Sequence, residues 1–167
     1  MKPCVTTAIL ALALLSPVSA SIAETGVAET GVERLPLTVS TGAGPHEFRV
    51  EVADESAERS RGLMGREQLA EDAGMLFLYS REKAGDSGFW MYNTLIPLDI
   101  AFIDGEGHIV STHTMMPCVS EAPARCPVTR PGEPYRAALE VNAGLFEELG
   151  IKLGDCVAWP GHKARCE

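Results

Sequence analysis

The chain has 167 residues, room for one ordinary domain, and its 46% apolar and 22% charged residues suit a packed core. That balance excludes a collagen, a coiled coil, a polytopic membrane protein and a wholly disordered chain. Acids outnumber bases 23 to 14, for a formal charge of −9, so the basic footprint that nucleic acid or an anionic lipid surface requires is missing and neither is an expected partner.

Residues 1–20 read as a secretory signal peptide. Lys2 supplies the charged start, residues 8–15 form an unbroken apolar run, Pro17 breaks it, and Val18-Ser19-Ala20 offers small residues for cleavage. Cleavage after Ala20 or after Ala23 both fit. Eight apolar residues are too few to span a bilayer, which takes about 20. Cys4 precedes the run rather than following it, so no lipid anchor is expected. The chain is read as exported, periplasmic or secreted. Residues 21–33 follow as a leader in which Ala-Glu-Thr-Gly-Val occurs twice, at 23–27 and 28–32. Two short acidic copies suit a flexible spacer and are too short for a solenoid. The domain proper is expected over 34–167.

Leu35, Leu37 and Val39 alternate with other residues, a turn follows at 41–45, and Phe48, Val50 and Val52 alternate with Glu47, Arg49 and Glu51. This predicts a hairpin with one wet face. Asp54 is a candidate N-cap for a helix to about Leu63, with Gly62 and Gly65 as stop signals. Strands are predicted at 75–79 and 89–91. A second hairpin, 99–103 with 108–115, turns at Asp104-Gly105-Glu106-Gly107. Residues 116–134 form a long Pro-rich loop. A strand at 135–141, a short helix at 145–149 ended by Gly150 and a last strand at 155–159 complete the chain. Strands follow strands through short turns, so the expected fold is mostly β (α+β). It is a single antiparallel β-sandwich or partly closed barrel with two short helices.

Without Cys4, four cysteines remain: Cys118, Cys126, Cys156 and Cys166. An even count in an exported chain suggests disulfides. Three pairings are possible. The local one is favoured, Cys118 with Cys126 around a loop holding Pro123, and Cys156 with Cys166 across the last segment. Zinc is the alternative, but no pair has the C-x-x-C spacing of common sites.

Three stretches carry further meaning: Arg61-Gly62-Leu63-Met64-Gly65-Arg66, Gly74-Met75-Leu76-Phe77, and the run from Phe89-Trp90-Met91-Tyr92-Asn93-Thr94 through Pro97-Leu98-Asp99 to Phe102. With 139–144 and Gly154-Asp155, their order resembles the signature of the DUF192 family across about residues 35–159. The resemblance implies an exported, mostly β single domain without an established biochemical function. Cys156 and the tail to Cys166 depart from the common pattern.

Trp90, Asn93 and Asp99 fall within ten residues and combine an aromatic platform, an amide and a carboxylate, a set suited to a small polar ligand. Arg61 could hold a carboxylate bidentately, either from Asp99, from Glu140 or from a ligand. Glu140 sits in an apolar run, where a carboxylate is paired or functional. The first reading is therefore a non-catalytic domain that binds a small polar ligand through Arg61, Trp90, Asn93, Asp99 and Glu140, with no cofactor and no metal. The alternatives are a hydrolase-type enzyme using Asp99 and Glu140, a structural or assembly partner whose motifs are core, and Cu(I) binding through Met64, Met75 and Met91. The sequence assigns no oligomeric state.

Overall fold

The computed structural model describes residues 33–165. The signal and leader readings, apart from Glu33, lie outside the described residues, as does Cys166. Nine strands and two short α-helices form in the order β1 (Arg34–Thr41), β2 (Gly44–Ala53), α1 (Ser56–Arg61), β3 (Ala73–Lys83), β4 (Phe89–Trp90), β5 (Leu98–Ile103), β6 (Ile109–Met115), β7 (Val128–Thr129), β8 (Tyr135–Asn142), α2 (Leu145–Leu149) and β9 (Cys156–Ala158). The mostly β class with two short helices stands.

Seven strands make one sheet in the order β6-β5-β8-β3-β2-β1-β9, while β4 and β7 pair separately. The sheet is mixed, not wholly antiparallel as the sequence suggested. β2 and β3 run parallel, with Val50 beside Gly74 and Ala53 beside Phe77. The connection that makes this possible is α1 and the loop to residue 72, long enough for the crossover that a parallel pair requires. Nor does the sheet close into a barrel, although its edges meet at one end. There the Ile109 amide donates to the Asp155 carbonyl at 2.9 Å, and the Gly154 amide donates to the Ile109 carbonyl at 2.9 Å.

Both faces of the sheet are covered, which explains the near-continuous apolar runs in β5 and β8. Along β8, Ala137, Leu139 and Val141 point into a core that also holds Leu37, Val50 and Phe146 of α2. Tyr135 and Ala138 belong to a second core with Met75, Phe77, Ile100 and Phe102. Alternation from Ala138 sends Glu140, two residues on, to the second face, while a register shift between β3 and β8 brings Tyr135 to that face as well. The expected wet face of β2 is only partly wet. Glu51 is 4% exposed because the Arg66 guanidinium pairs with it and Arg34 approaches at 3.9 Å.

Candidate functional site

On the second face the segments around α1 and β4 leave a cleft of about 140 Å³, lined by Arg59, Arg61, Phe77, Phe89, Trp90 and Glu140 together with neighbouring residues of the same segments. Each wall has a local cause.

The α1 wall begins with a capping box in which Glu55, rather than the expected Asp54, is the N-cap and Glu58 reaches back to the Glu55 amide at 3.2 Å. The helix stops at Gly62, whose φ of 49° lies in the left-handed region and whose amide donates to the Glu58 carbonyl at 2.7 Å. A Cβ there would stand 3.3 Å from the Phe77 ring. Glycine thus lets the chain turn tightly over Phe77 and leaves Arg61 at the cleft mouth. The two arginines of this wall differ. Arg59 donates to the carbonyls of Leu78, at 3.0 Å, and of Asp54, and its guanidinium lies 5.2 Å from the Tyr79 ring centre. Arg61 is exposed, and among the described residues its side chain makes no hydrogen bond or ion pair.

The opposite wall is β4. Phe89 wedges edge-on between Phe77 and Phe102, at 4.9 and 5.5 Å between ring centres. Trp90 is 42% exposed and lies 5.3 Å from the Tyr92 ring. β7 backs this strand, with Trp90 opposite Val128. Gly88 permits that approach, since a Cβ would come within 2.4 Å of the Thr129 carbonyl oxygen. The Cys118–Cys126 disulfide, with Cα atoms 5.7 Å apart, clips the loop that delivers β7. The expected local pairing is present there. Cys156 is disulfide-bonded as well.

Glu140 stands on β8 with Met75 of β3 on one side and Ile100 of β5 on the other. It is 5% exposed, and its carboxyl has no hydrogen-bond partner among the described residues. Burial alone pushes its carboxyl up to about 8, so at neutral pH it is mostly protonated and can donate. Burial also pushes the Tyr79 and Tyr135 phenols upward, and Glu140 adds to the shift at Tyr79.

Three of the five predicted ligand residues, Arg61, Trp90 and Glu140, thus meet at one cleft. The other two serve elsewhere. Asn93 adopts φ 55°, a left-handed conformation that asparagine tolerates. Its amide donates to the Cys118 carbonyl and its carbonyl accepts from the Gly65 amide, both at 2.9 Å. That backbone staple joins the Arg61 loop to the disulfide loop. Asp99 lies opposite Val141 and so faces the first core. It is 2% exposed, accepts from the Thr114 hydroxyl at 2.7 Å, and caps the start of α2 through the Gly144 and Phe146 amides at 2.8 and 3.1 Å. Asp99 and Glu140 therefore occupy opposite faces of one sheet and share no cleft. Of the methionines, Met64 lines the cleft, while Met75 and Met91 are buried in the second core, where thioethers fill irregular space.

Sequence reasoning missed Arg59, Tyr79 and Thr94, all at the cleft. Tyr79 was reachable, since Met75, Phe77 and Tyr79 share one face of β3 by alternation. Arg59 was not, because only the tertiary position of Leu78 makes it a structural partner rather than a second free cation.

Comparison with solved structures supports the fold independently. A Novosphingobium aromaticivorans DSM 12444 protein of unknown function is 37% identical, with a TM-score of 0.69, covering 79% of this chain and 89% of its own. A Sinorhizobium meliloti 1021 protein described as a "putative transcription regulator" is 35% identical, with a TM-score of 0.67, covering 77% of this chain and 95% of its own. No curated protein matches. The DUF192 profile, described as an uncharacterized ACR, matches residues 37–159, a span that runs from β1 to the residue after β9 and takes in every wall of the cleft. The chain belongs to the DUF192 family.

Proposed function

We propose that this protein is an exported, non-catalytic domain that binds a small polar ligand in the cleft between α1 and β4. The observation that carries the reading is the meeting at one cavity of a guanidinium without a partner among the described residues, an exposed indole and the carboxyl of a 5% exposed glutamate that opens to the cleft without a side-chain partner among the described residues. Polar groups are normally satisfied when buried, and a concave site with a few convergent polar groups beside aromatic walls is the usual form of a ligand site. Export is supported by the signal-like residues 1–20 and by the Cys118–Cys126 disulfide, which suits an oxidising compartment. No helix among the described residues is long and apolar enough to cross a membrane.

The hydrolase reading needs two carboxyls across one cleft, and Asp99 is committed to α2 on the other face. Regulation of transcription, the role in the Sinorhizobium protein's description, gains no support from a chain with a net charge of −9.

Thermal unfolding in the presence of a small-molecule extract tests the reading. The wild type should gain a rise in Tm that Arg61→Ala and Trp90→Ala lose and Asp99→Asn keeps, whatever its own starting Tm. A rise that survives both cleft substitutions would place any ligand elsewhere.

A further inference from the structure

A second concave surface lies on the first face of the sheet, away from the α1–β4 cleft. Leu35 of β1, Val52 of β2 and Leu78 of β3 form its floor, and Trp159 and Pro160 form one wall. Alternation places Leu35 on the side of Leu37, and Val52 on the side of Val50. Leu78 and Trp159 pack against the first core. The topology explains why a groove opens here. Leu78 pairs with Ala137 near the start of β8, whereas α2 follows the other end of that strand. The turn after β9 therefore supplies the wall at this end. The volume is about 430 Å³, within the roughly 300–1,000 Å³ of small-molecule sites.

The rim carries one sign of charge. Glu33, Asp54 and Glu58 line the groove, and among the described residues no basic side chain does so. Glu58 accepts from the Asp54 and Glu55 amides through Oε2, both at 3.2 Å, which holds its carboxylate beside Asp54. Glu33 and Asp54 are exposed, and their side chains make no hydrogen bond or ion pair among the described residues. Two neighbouring arginines are engaged elsewhere. Arg59 donates to the Asp54 and Leu78 carbonyls and lies over the Tyr79 ring, while Arg34 approaches Glu51 on the second face.

The wall adds an indole. Trp159 and His162 exchange backbone hydrogen bonds at 3.2 and 2.9 Å, and their rings stack 4.2 Å apart. That stack holds the indole in place, and His162 itself lines a neighbouring cavity with Arg136 rather than the groove. Burial, with Arg136 and Arg165 nearby, keeps the imidazole below its ordinary value, so it brings no competing charge at neutral pH. Carboxylates and an indole both attract a cation, and an aliphatic floor takes an apolar body. An anion would meet three like charges. An inorganic cation would gain nothing from the floor.

We propose that this groove is a second binding site, separate from the α1–β4 cleft, for a small organic cation with an ammonium head on an apolar body. The head lies among Glu33, Asp54 and Glu58, and the body lies on Leu35, Val52 and Leu78 beside Trp159. No bond is made or broken.

The test is titration of the full chain with phenethylamine at about pH 7, followed by the indole N–H signals of its two tryptophans. Trp159 reports on the groove and Trp90 on the cleft. 2-Phenylethanol and 3-phenylpropionate serve as the neutral and anionic counterparts. Phenethylammonium should shift Trp159 and not Trp90, at least about threefold more tightly than 2-phenylethanol, and 3-phenylpropionate should leave Trp159 unmoved. The double variant Glu33→Gln, Asp54→Asn removes two charges that no described residue uses, and it should weaken the amine at least about threefold. Added salt should weaken it in the wild type. Equal affinity for the amine and the alcohol would overturn the proposal, as would an amine affinity that the folded double variant retains. If that variant fails to fold, the charge series and the salt dependence in the wild type decide the matter. Silence at Trp159, or a shift confined to Trp90, would also overturn it, and neither result would touch the reading of the α1–β4 cleft.

Discussion

At the residue scale, two buried carboxylates of the same sheet have opposite fates. Asp99 is fully employed, with three donors on its two oxygens. Its removal strands the start of α2, so Asp99→Ala should cost about 3 kcal/mol, read by denaturant unfolding, and leave ligand binding per folded molecule unchanged. Glu140 has no such partners, and its folded carboxyl titrates near 8 against an ordinary 4.5. A folded pKa raised above the unfolded one means that the native state holds the proton longer. Stability is then fully present below about 4.5 and falls as pH rises toward about 8. Glu140→Gln should abolish that slope. The variant should match the wild type in acid and exceed it at about pH 8 by on the order of a few kcal/mol, measured as the pH dependence of unfolding free energy. A wild type whose stability is flat across that window would show that the carboxyl is solvated or paired.

At the scale of elements, the parts legible in the sequence were those with a local signal. The alternation of Leu35, Leu37 and Val39 with that of Phe48 and Val50 marked the first hairpin, and Gly150 marked the end of α2. The parallel pairing of β2 with β3 had no comparable local signature: the helix after Asp54 was expected, but one as short as the six-residue α1 does not distinguish a crossover from a link between antiparallel strands. The candidate site was half legible for the same reason. Closeness in sequence suggested that Trp90, Asn93 and Asp99 act together, but the turn after β4 uses Asn93 for its left-handed backbone and strand alternation sends Asp99 to the other face. Arg61 and Glu140 lie 79 positions apart, and only the sheet joins them. The disulfide loop has a mechanical part in this site, since it delivers the strand that backs Trp90. Replacing Cys118 and Cys126 with serine should cost about 2–3 kcal/mol for so small a loop. Hydrogen exchange should speed at Trp90 and Val128 while β8 stays protected. Unchanged exchange at those two amides would show that β4 and β7 hold each other without the clip.

At the scale of the whole domain, one sheet supports two unlike layers. The first face carries α2 and holds an apolar core whose buried Asp99 is fully hydrogen-bonded, and this layer supplies stability. The second is covered by loops and two short strands, and the imperfect cover leaves a cleft whose floor carries a carboxyl that no stability argument requires. That division of labour is the central claim, and native mass spectrometry of the gently purified protein tests it most directly, with wild type and Arg61→Ala run side by side. The account predicts that wild type carries a small bound species that Arg61→Ala lacks, both being folded. A species retained equally by the two proteins, or a bare wild type that no small molecule shifts, would contradict it.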